Sequence, residues 1–217
     1  MVIAMMALLL ITALGAALIL TSSSETIIAG HFRDSLEAQY AADAMIARAL
    51  GEIAGVSDWN VLTDGSTHSA WVDGPASGVR TLVDGSTIDL GQVVNTANCQ
   101  KLTACSAADL SATTVDRPWG ANNPRWIAYA YGPLRGMLPE PRIDSPYYVV
   151  WLTANAPAAI AGSDLVAVRA EAFGPHGAHK VVEVTVSRAG RGAGDEKDYN
   201  DGLGQALVSV LSWREVR

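Results

Sequence analysis

Met1 to Leu20 reads MVIAMMALLLITALGAALIL, and Thr21 to Ile53 continues it as TSSSETIIAGHFRDSLEAQYAADAMIARALGEI. The first twenty residues are apolar apart from Thr12 and Gly15, and no ionisable side chain precedes Glu25. A helix of that length rises about 30 Å, enough to cross the hydrocarbon core of a bilayer once. Helix is the conformation such a segment must take, because its backbone groups have only one another as partners in hydrocarbon. Two other readings compete, a cleaved secretory signal and a buried core helix. The first calls for a basic flank and a shorter apolar run, the second for protein on every side. Residues 1–24 are therefore read as a transmembrane or bundle-forming half-helix. Its apolar surface is made by Met1, Ile3, Met5, Leu8, Ile11, Gly15, Leu18 and Leu20.

Beyond Leu20 the composition stays helix-forming but acquires a polar face. Ile28, Phe32, Leu36, Tyr40 and Ala44, then Met45, Leu50 and Ile53, recur at steps of three and four, which predicts an amphipathic half-helix over residues 25–55. One rod from residue 1 to about 54 would be roughly 80 Å long. Gly30 is its weak point, at a cost of up to about 1 kcal/mol relative to Ala. Gly51 and Gly55, followed by Ser57 and Asp58, supply the stop.

The 217 residues are 49% hydrophobic and 17% charged, and 22 acidic side chains outnumber 15 basic ones, so clustered positive charge is missing. Nucleic-acid grooves and polybasic membrane patches need that clustering, and wholesale disorder needs far less apolar content.

Residues 56–217 read as a β-rich head. Candidate strands are Val79 to Val83, Trp126 to Tyr131, Tyr147 to Thr153, Leu165 to Phe173, Lys180 to Arg188 and Ala206 to Val216, forming an antiparallel sheet on the amphipathic half-helix. Val182, Val184 and Val186 alternate with Glu183, Thr185 and Ser187, which predicts a strand buried on one side. Gly174 to His179 would join two strands as a hairpin. Asp-Gly-Ser-Thr occurs at 64–67 and at 84–87, and recurrent turn chemistry explains it better than a duplicated unit. The aromatic middle, Trp119, Trp126, Tyr129, Tyr131, Tyr147, Tyr148 and Trp151, is expected to be mostly core, with a minority left for an adhesive or subunit-contact surface.

Cys99 and Cys105 are the only cysteines. In a polar, loop-like setting beyond a membrane anchor they read as a small disulfide loop; two free thiols or a metal pair are the alternatives. His176 and His179, with Glu171 and Glu183 beside them, could be imagined around a metal, but a hairpin tip reads as solvated. Asp195, Glu196, Asp198, Asn200 and Asp201 gather oxygen ligands that could hold calcium, without the spacing of the twelve-residue calcium loop. No other cofactor is indicated. There is no Gly-x-Ser-x-Gly elbow, His-Glu-x-x-His helix, phosphate loop or dinucleotide fingerprint, so the chain reads as non-enzymatic.

The N-terminal fifty residues resemble PilX-type minor pilins of the type IV pilin and pseudopilin superfamily. The residues that carry the resemblance are the apolar run ending Leu18-Ile19-Leu20, Ser23-Ser24-Glu25, Ala29-Gly30, Arg33-Asp34, and Ala38 followed by Tyr40-Ala41-Ala42-Asp43-Ala44. The resemblance implies an α+β, type IV pilin-like fold, with a long helix whose apolar half protrudes from an antiparallel β-sheet head. It implies a single-pass inner-membrane subunit with a periplasmic head that passes into an extracellular fibre. Its partners would be other major and minor pilins. Such subunits are made with a short basic leader, which is not seen before Met1. Counting from Met1, the fifth position is Met5, where major pilins carry a glutamate for the neighbour's amine, and this points to an initiation or tip role. A type II secretion minor pseudopilin would share these features. A membrane-tethered periplasmic binding module is the alternative of another class, and it calls for a flexible linker after the anchor.

Overall fold

The structure, a computed structural model, describes residues 1–137, 144–156, 165–188 and 208–216. Helix α1 (Val2–Ala54) is unbroken over 53 residues and continues through Gly30. It is about 80 Å long. It ends at Gly55, which stays right-handed at φ −82° and donates to the Glu52 carbonyl. The indole Nε1–H of Trp59 donates to the Ile53 carbonyl at 3.2 Å, satisfying one of the groups every helix end leaves open.

A ribbon of β1 (Val79–Thr81) and β2 (Thr87–Asp89) leads into α2 (Leu90–Cys99) and the single turn α3 (Ala107–Leu110). The main sheet follows: β3 (Ile127–Pro133), β4 (Tyr148–Asn155), β5 (Leu165–Phe173), β6 (His179–Arg188) and β7 (Val208–Val216), adjacent in that order and antiparallel throughout. The predicted strand at Val79 to Val83 is shorter than read, because Asp84 and Gly85 close a turn immediately after it. Both Asp-Gly-Ser-Thr copies make the same turn. Asp64 accepts from the Ser66 N–H and Asp84 from the Ser86 N–H, and Gly65 and Gly85 sit at φ +78° and +84°.

Helix α1 covers one face of the sheet. Val149, Trp151, Val166, Val168, Ala170, Ala172, Val182, Val184 and Val186 pack there against Ala38, Ala41, Ala42, Met45, Ile46, Ala49 and Ile53. This corrects the first part of the expected stripe, since Ile28, Phe32, Leu36, Tyr40 and Ala44 all face outward, whereas Met45, Leu50 and Ile53 do pack against the core. The sheet selects the alanine-rich side of the helix because small residues let two backbones approach closely over packed valines. The helix runs alongside β6 and in the same direction. Asp34 meets His176 in the turn before β6, and the carbonyls of Val56 and Ser57 accept from Arg188 at its end.

The opposite face of β3, β4 and β5 is covered as well; on β6 the expected alternation holds, with Val182, Val184 and Val186 buried and Thr185 and Ser187 half-buried, except at Glu183, which is buried too. Leu82, Leu90, Val93, Ala97 and Trp126 pack onto Tyr131, Tyr148, Val150, Leu152, Ala154 and Ala167. Asn98 fixes this layer with a reciprocal pair, accepting from the Trp126 N–H and donating to its carbonyl, both at 2.8 Å. Beyond it the covered face is ionic: Arg169 donates to Glu171 and Glu183 at 2.6 Å each, His179 lies 3.0 Å from Glu171, and Arg214 bonds Glu183. Among the seven central aromatics only Trp119, 40% exposed, is outside the core.

Candidate functional site

The feature that stands apart from the head is the first thirty-three residues of α1, a rod about 50 Å long. The described head first touches α1 around Asp34, and none of the apolar eighteen-residue window of this helix is buried. Met1, Ile3, Met5, Leu8, Ile11, Leu18 and Leu20 are 59–98% exposed, and Gly15 leaves open space where a side chain would be. The helix is long and apolar enough to cross a membrane. Four of its hydroxyls are satisfied within the helix. The hydroxyls of Thr12, Thr21, Ser24 and Thr26 donate to carbonyls three or four residues back, so no donor from them is left over in an apolar surrounding.

The residues that carry the pilin resemblance divide into two groups. Ser24, Glu25, Gly30, Arg33 and Tyr40 are exposed, and Arg33 pairs with Glu37 one turn on at 3.1 Å. Asp34, Ala42 and Asp43 belong to the joint with the head. Ala42 is fully buried under the sheet. Asp43 accepts from Gln39 at 3.1 Å, and burial lifts its carboxyl above the ordinary range. The Asp34 carboxylate meets His176 Nδ1 at 2.9 Å, and its carbonyl accepts from the Tyr147 hydroxyl at 2.9 Å. Burial, with Glu37 and Asp34 nearby, pushes the Tyr147 phenol up to about 12, so it remains a donor.

Local backbone chemistry makes this joint possible. A Cβ on Gly174 would stand 2.1 Å from the Tyr147 ring, so only glycine lets the β5–β6 turn close over it. His176, at φ +57°, then reaches across to the helix while its N–H donates to Asp84. The solvated tip expected for His176 is observed, its side chain being 71% exposed, but its contacts with Asp34 and Asp84 and that of Tyr147 with Asp34 were not foreseen, because those partners lie a hundred or so residues away.

Cys99 and Cys105 form the disulfide, with Cα atoms 6.0 Å apart. Its setting differs from the loop expected, since Cys99 is the last residue of α2 and Gln100 caps that helix in the left-handed region. Among the described residues no three of His, Cys, Asp and Glu gather in a metal-binding group. Glu171 and Glu183 are turned to Arg169 rather than toward His176, and burial of Glu171 is outweighed by His179 and Arg169, which hold its carboxyl low. The calcium candidates Asp195, Glu196, Asp198, Asn200 and Asp201 lie outside the described residues.

The class defined by this geometry is an α+β protein with a membrane-length apolar helix continuous with the helix that packs its antiparallel sheet. No protein-family model matches the chain, and neither a curated protein nor a solved structure does.

Proposed function

We propose that this chain is a structural, non-catalytic minor pilin that takes part in initiating or capping a type IV pilus. The observation that carries the reading is the continuity of α1: one helix is apolar and uncovered over its first half and bonded into the head over its second. A half-helix without a polar face is satisfied equally by lipid and by similar helices packed side by side. Movement between the two media therefore costs little hydrophobic free energy. The absence of any break in α1 between Val2 and Ala54 supports a rod that carries its head rigidly, against a flexible tether. The bound Asp34 and buried Ala42 support it too, since they hold the rod to the head where it emerges.

Replacing Ala17 with Lys tests this. A lysine at that depth costs about 2.5–3.5 kcal/mol in lipid and would be unpaired in a helix bundle. The expected result is loss of the subunit from sheared surface fibres and fewer fibres, with the head still folded. Unchanged fibre number and unchanged subunit content would overturn the proposal.

A further inference from the structure

The layer over the second face of the sheet packs its apolar side chains on β3, β4 and β5. At its margin lies a cavity of about 290 Å³, with Arg169, Glu183 and Arg214 as its floor and Gln100, Asp116 and Arg117 in its wall. A second cavity, of about 340 Å³, adjoins it. The two share Trp119, Pro124, Trp126, Glu183 and Arg214, and Leu165, Ala167 and Leu211 help to make the second largely apolar. Hollows of this size, apolar with a few converging polar groups, are the usual form of small-molecule sites.

The wall is held in place by its own hydrogen bonds. Buried Asn123 accepts from the Trp119 N–H at 3.1 Å and donates to the Leu110 and Ala112 carbonyls at 3.3 and 2.9 Å. Gln100, next to the disulfide at the end of α2, donates to Asp116 at 3.0 Å. A wall ordered in advance spares a ligand that cost.

Hydrogen-bonding capacity in the cavity is lopsided. Glu183 is filled, because Arg169 donates to its Oε1 and Arg214 donates to its Oε2 through Nε and Nη2. Arg169 spends its Nε on Glu171, so that Arg169 Nη2 and Arg214 Nη1 have no partner among the described residues. Arg117 is only 6% exposed, and no carboxylate among the described residues pairs with it. Its Nη1 and Nη2 donate to the carbonyls of Asp109 and Leu110 at 3.3 and 2.8 Å, and its buried Nε has no described partner. Burial and the neighbouring charge of Arg125 push its pKa down. A buried cation is costly until a counter-charge reaches it.

We infer that this cleft, between Trp119 and the Arg169–Glu183–Arg214 floor, binds a small monocarboxylate carried on a ring. Guanidinium N–H groups in surplus call for a group that only accepts, and a planar carboxylate matches them. A doubly charged phosphate is disfavoured, because Asp116 and Glu183 stand in the same lining and repel it. Trp119, Pro124 and Trp126 call for the ring. Trp119 is the one central aromatic outside the core, and aromatic faces stack on flat six-membered bodies. Acidic sugars and aromatic acids both present that chemistry. Binding here involves the head alone and holds whether or not the subunit enters a fibre.

The test uses the full chain, disulfide intact, in lipid nanodiscs, labelled with 5-fluorotryptophan, with the Trp119 resonance assigned through Trp119→Phe. Fluorine NMR follows titration with sodium glucuronate and with sodium phenylacetate. Glucose and phenylacetamide, at matched ionic strength, are their neutral counterparts. At least one acid should move the Trp119 signal saturably, and its neutral counterpart should bind at least about tenfold more weakly, the contribution of a hydrogen bond to a charged group. That contrast leaves the protein unaltered. A response to glucuronate alone would identify the ligand as an acidic sugar, and a response to phenylacetate alone as an aromatic acid. Arg214→Gln should weaken the acid about tenfold while the other tryptophan signals stay in place. No saturable response to either acid would overturn the inference. So would equal binding of acid and neutral counterpart, or an Arg214→Gln variant that binds as the wild type does.

Discussion

The two halves of α1 obey one backbone geometry and opposite rules of packing. From Val2 to about Arg33 large side chains stand outward on every side, with Leu8, Leu9, Leu10 and Ile11 all at least 65% exposed. From Asp34 to Ala54 the sheet side is dominated by alanine, and Ala38, Ala41, Ala42 and Ala49 are at most 2% exposed. The lesson is that close packing against a fixed sheet needs small residues, whereas a surface that meets lipid or changing helical neighbours needs bulk without a fixed shape. Substitutions can break or sharpen that contrast.

The largest effect should come from the docked side. Trp151→Ala removes the largest fully buried side chain and the ring that Tyr129 packs against at 4.5 Å between centroids. We expect a loss of about 3–5 kcal/mol in denaturant unfolding of the full chain in detergent. Arg169→Ala should cost a comparable ~3–5 kcal/mol, because it leaves Glu171 and Glu183 buried with one cation fewer. Glu171 adds a pH signature. Its carboxyl is held below its ordinary value of 4.5 in the folded protein, so its contribution is present above that value and is lost as pH falls through the lowered one. Acid titration of the wild type should therefore show stability falling below pH 4.5, and Glu171→Gln should flatten that limb.

Smaller effects follow. Cys99→Ser with Cys105→Ser opens a short loop and should lower stability by about 2 kcal/mol, read by the same unfolding curves. Ala42→Leu overfills the contact between helix and sheet and should cost about 1–3 kcal/mol, whereas Ala17→Leu on the protruding half should change unfolding by less than ~0.5 kcal/mol. The smallest stability change is expected for Tyr40→Ala, because this ring is 68% exposed. Unfolding should move by no more than ~0.5 kcal/mol, while recovery of the subunit in sheared fibres falls. Equal costs for Ala42→Leu and Ala17→Leu would remove the distinction between the halves.

Much of this architecture is legible in the sequence because it follows from strong local signals. The uncharged run to Leu20 specifies its own helix, and Leu165 to Phe173 and the alternating valines of β6 specify strands by period. The buried face of α1 was legible at Met45, Leu50 and Ile53 but not before them, because hydrophobicity ranks Phe32 and Tyr40 above Ala38 and Ala42, where the sheet takes small residues. Helix α2 was missed because Gly91, Thr96 and Asn98 are weak helix formers. It forms through the Asp89 cap, whose carboxylate accepts from Gln92, and through burial of Leu90, Val93 and Ala97. The ion cluster around Arg169 was equally hidden. Alternation treats charged strand positions as solvated, and here the layer over them comes from residues some fifty to eighty positions earlier. Of the candidate site, the apolar rod could be read from the sequence, but its joint at Asp34, Tyr147, Gly174 and His176 exists only once the chain has folded.

The central claim is that the apolar half of α1 is a rigid continuation of the docked half. Spin labels at Ala7→Cys and Ala44→Cys, both exposed positions on a chain whose own cysteines are paired, measure it directly in nanodiscs. Thirty-seven helical steps predict one narrow distance distribution near ~55 Å. A broad distribution, or one centred below ~45 Å, would place a break or a tether between the two halves and contradict the account.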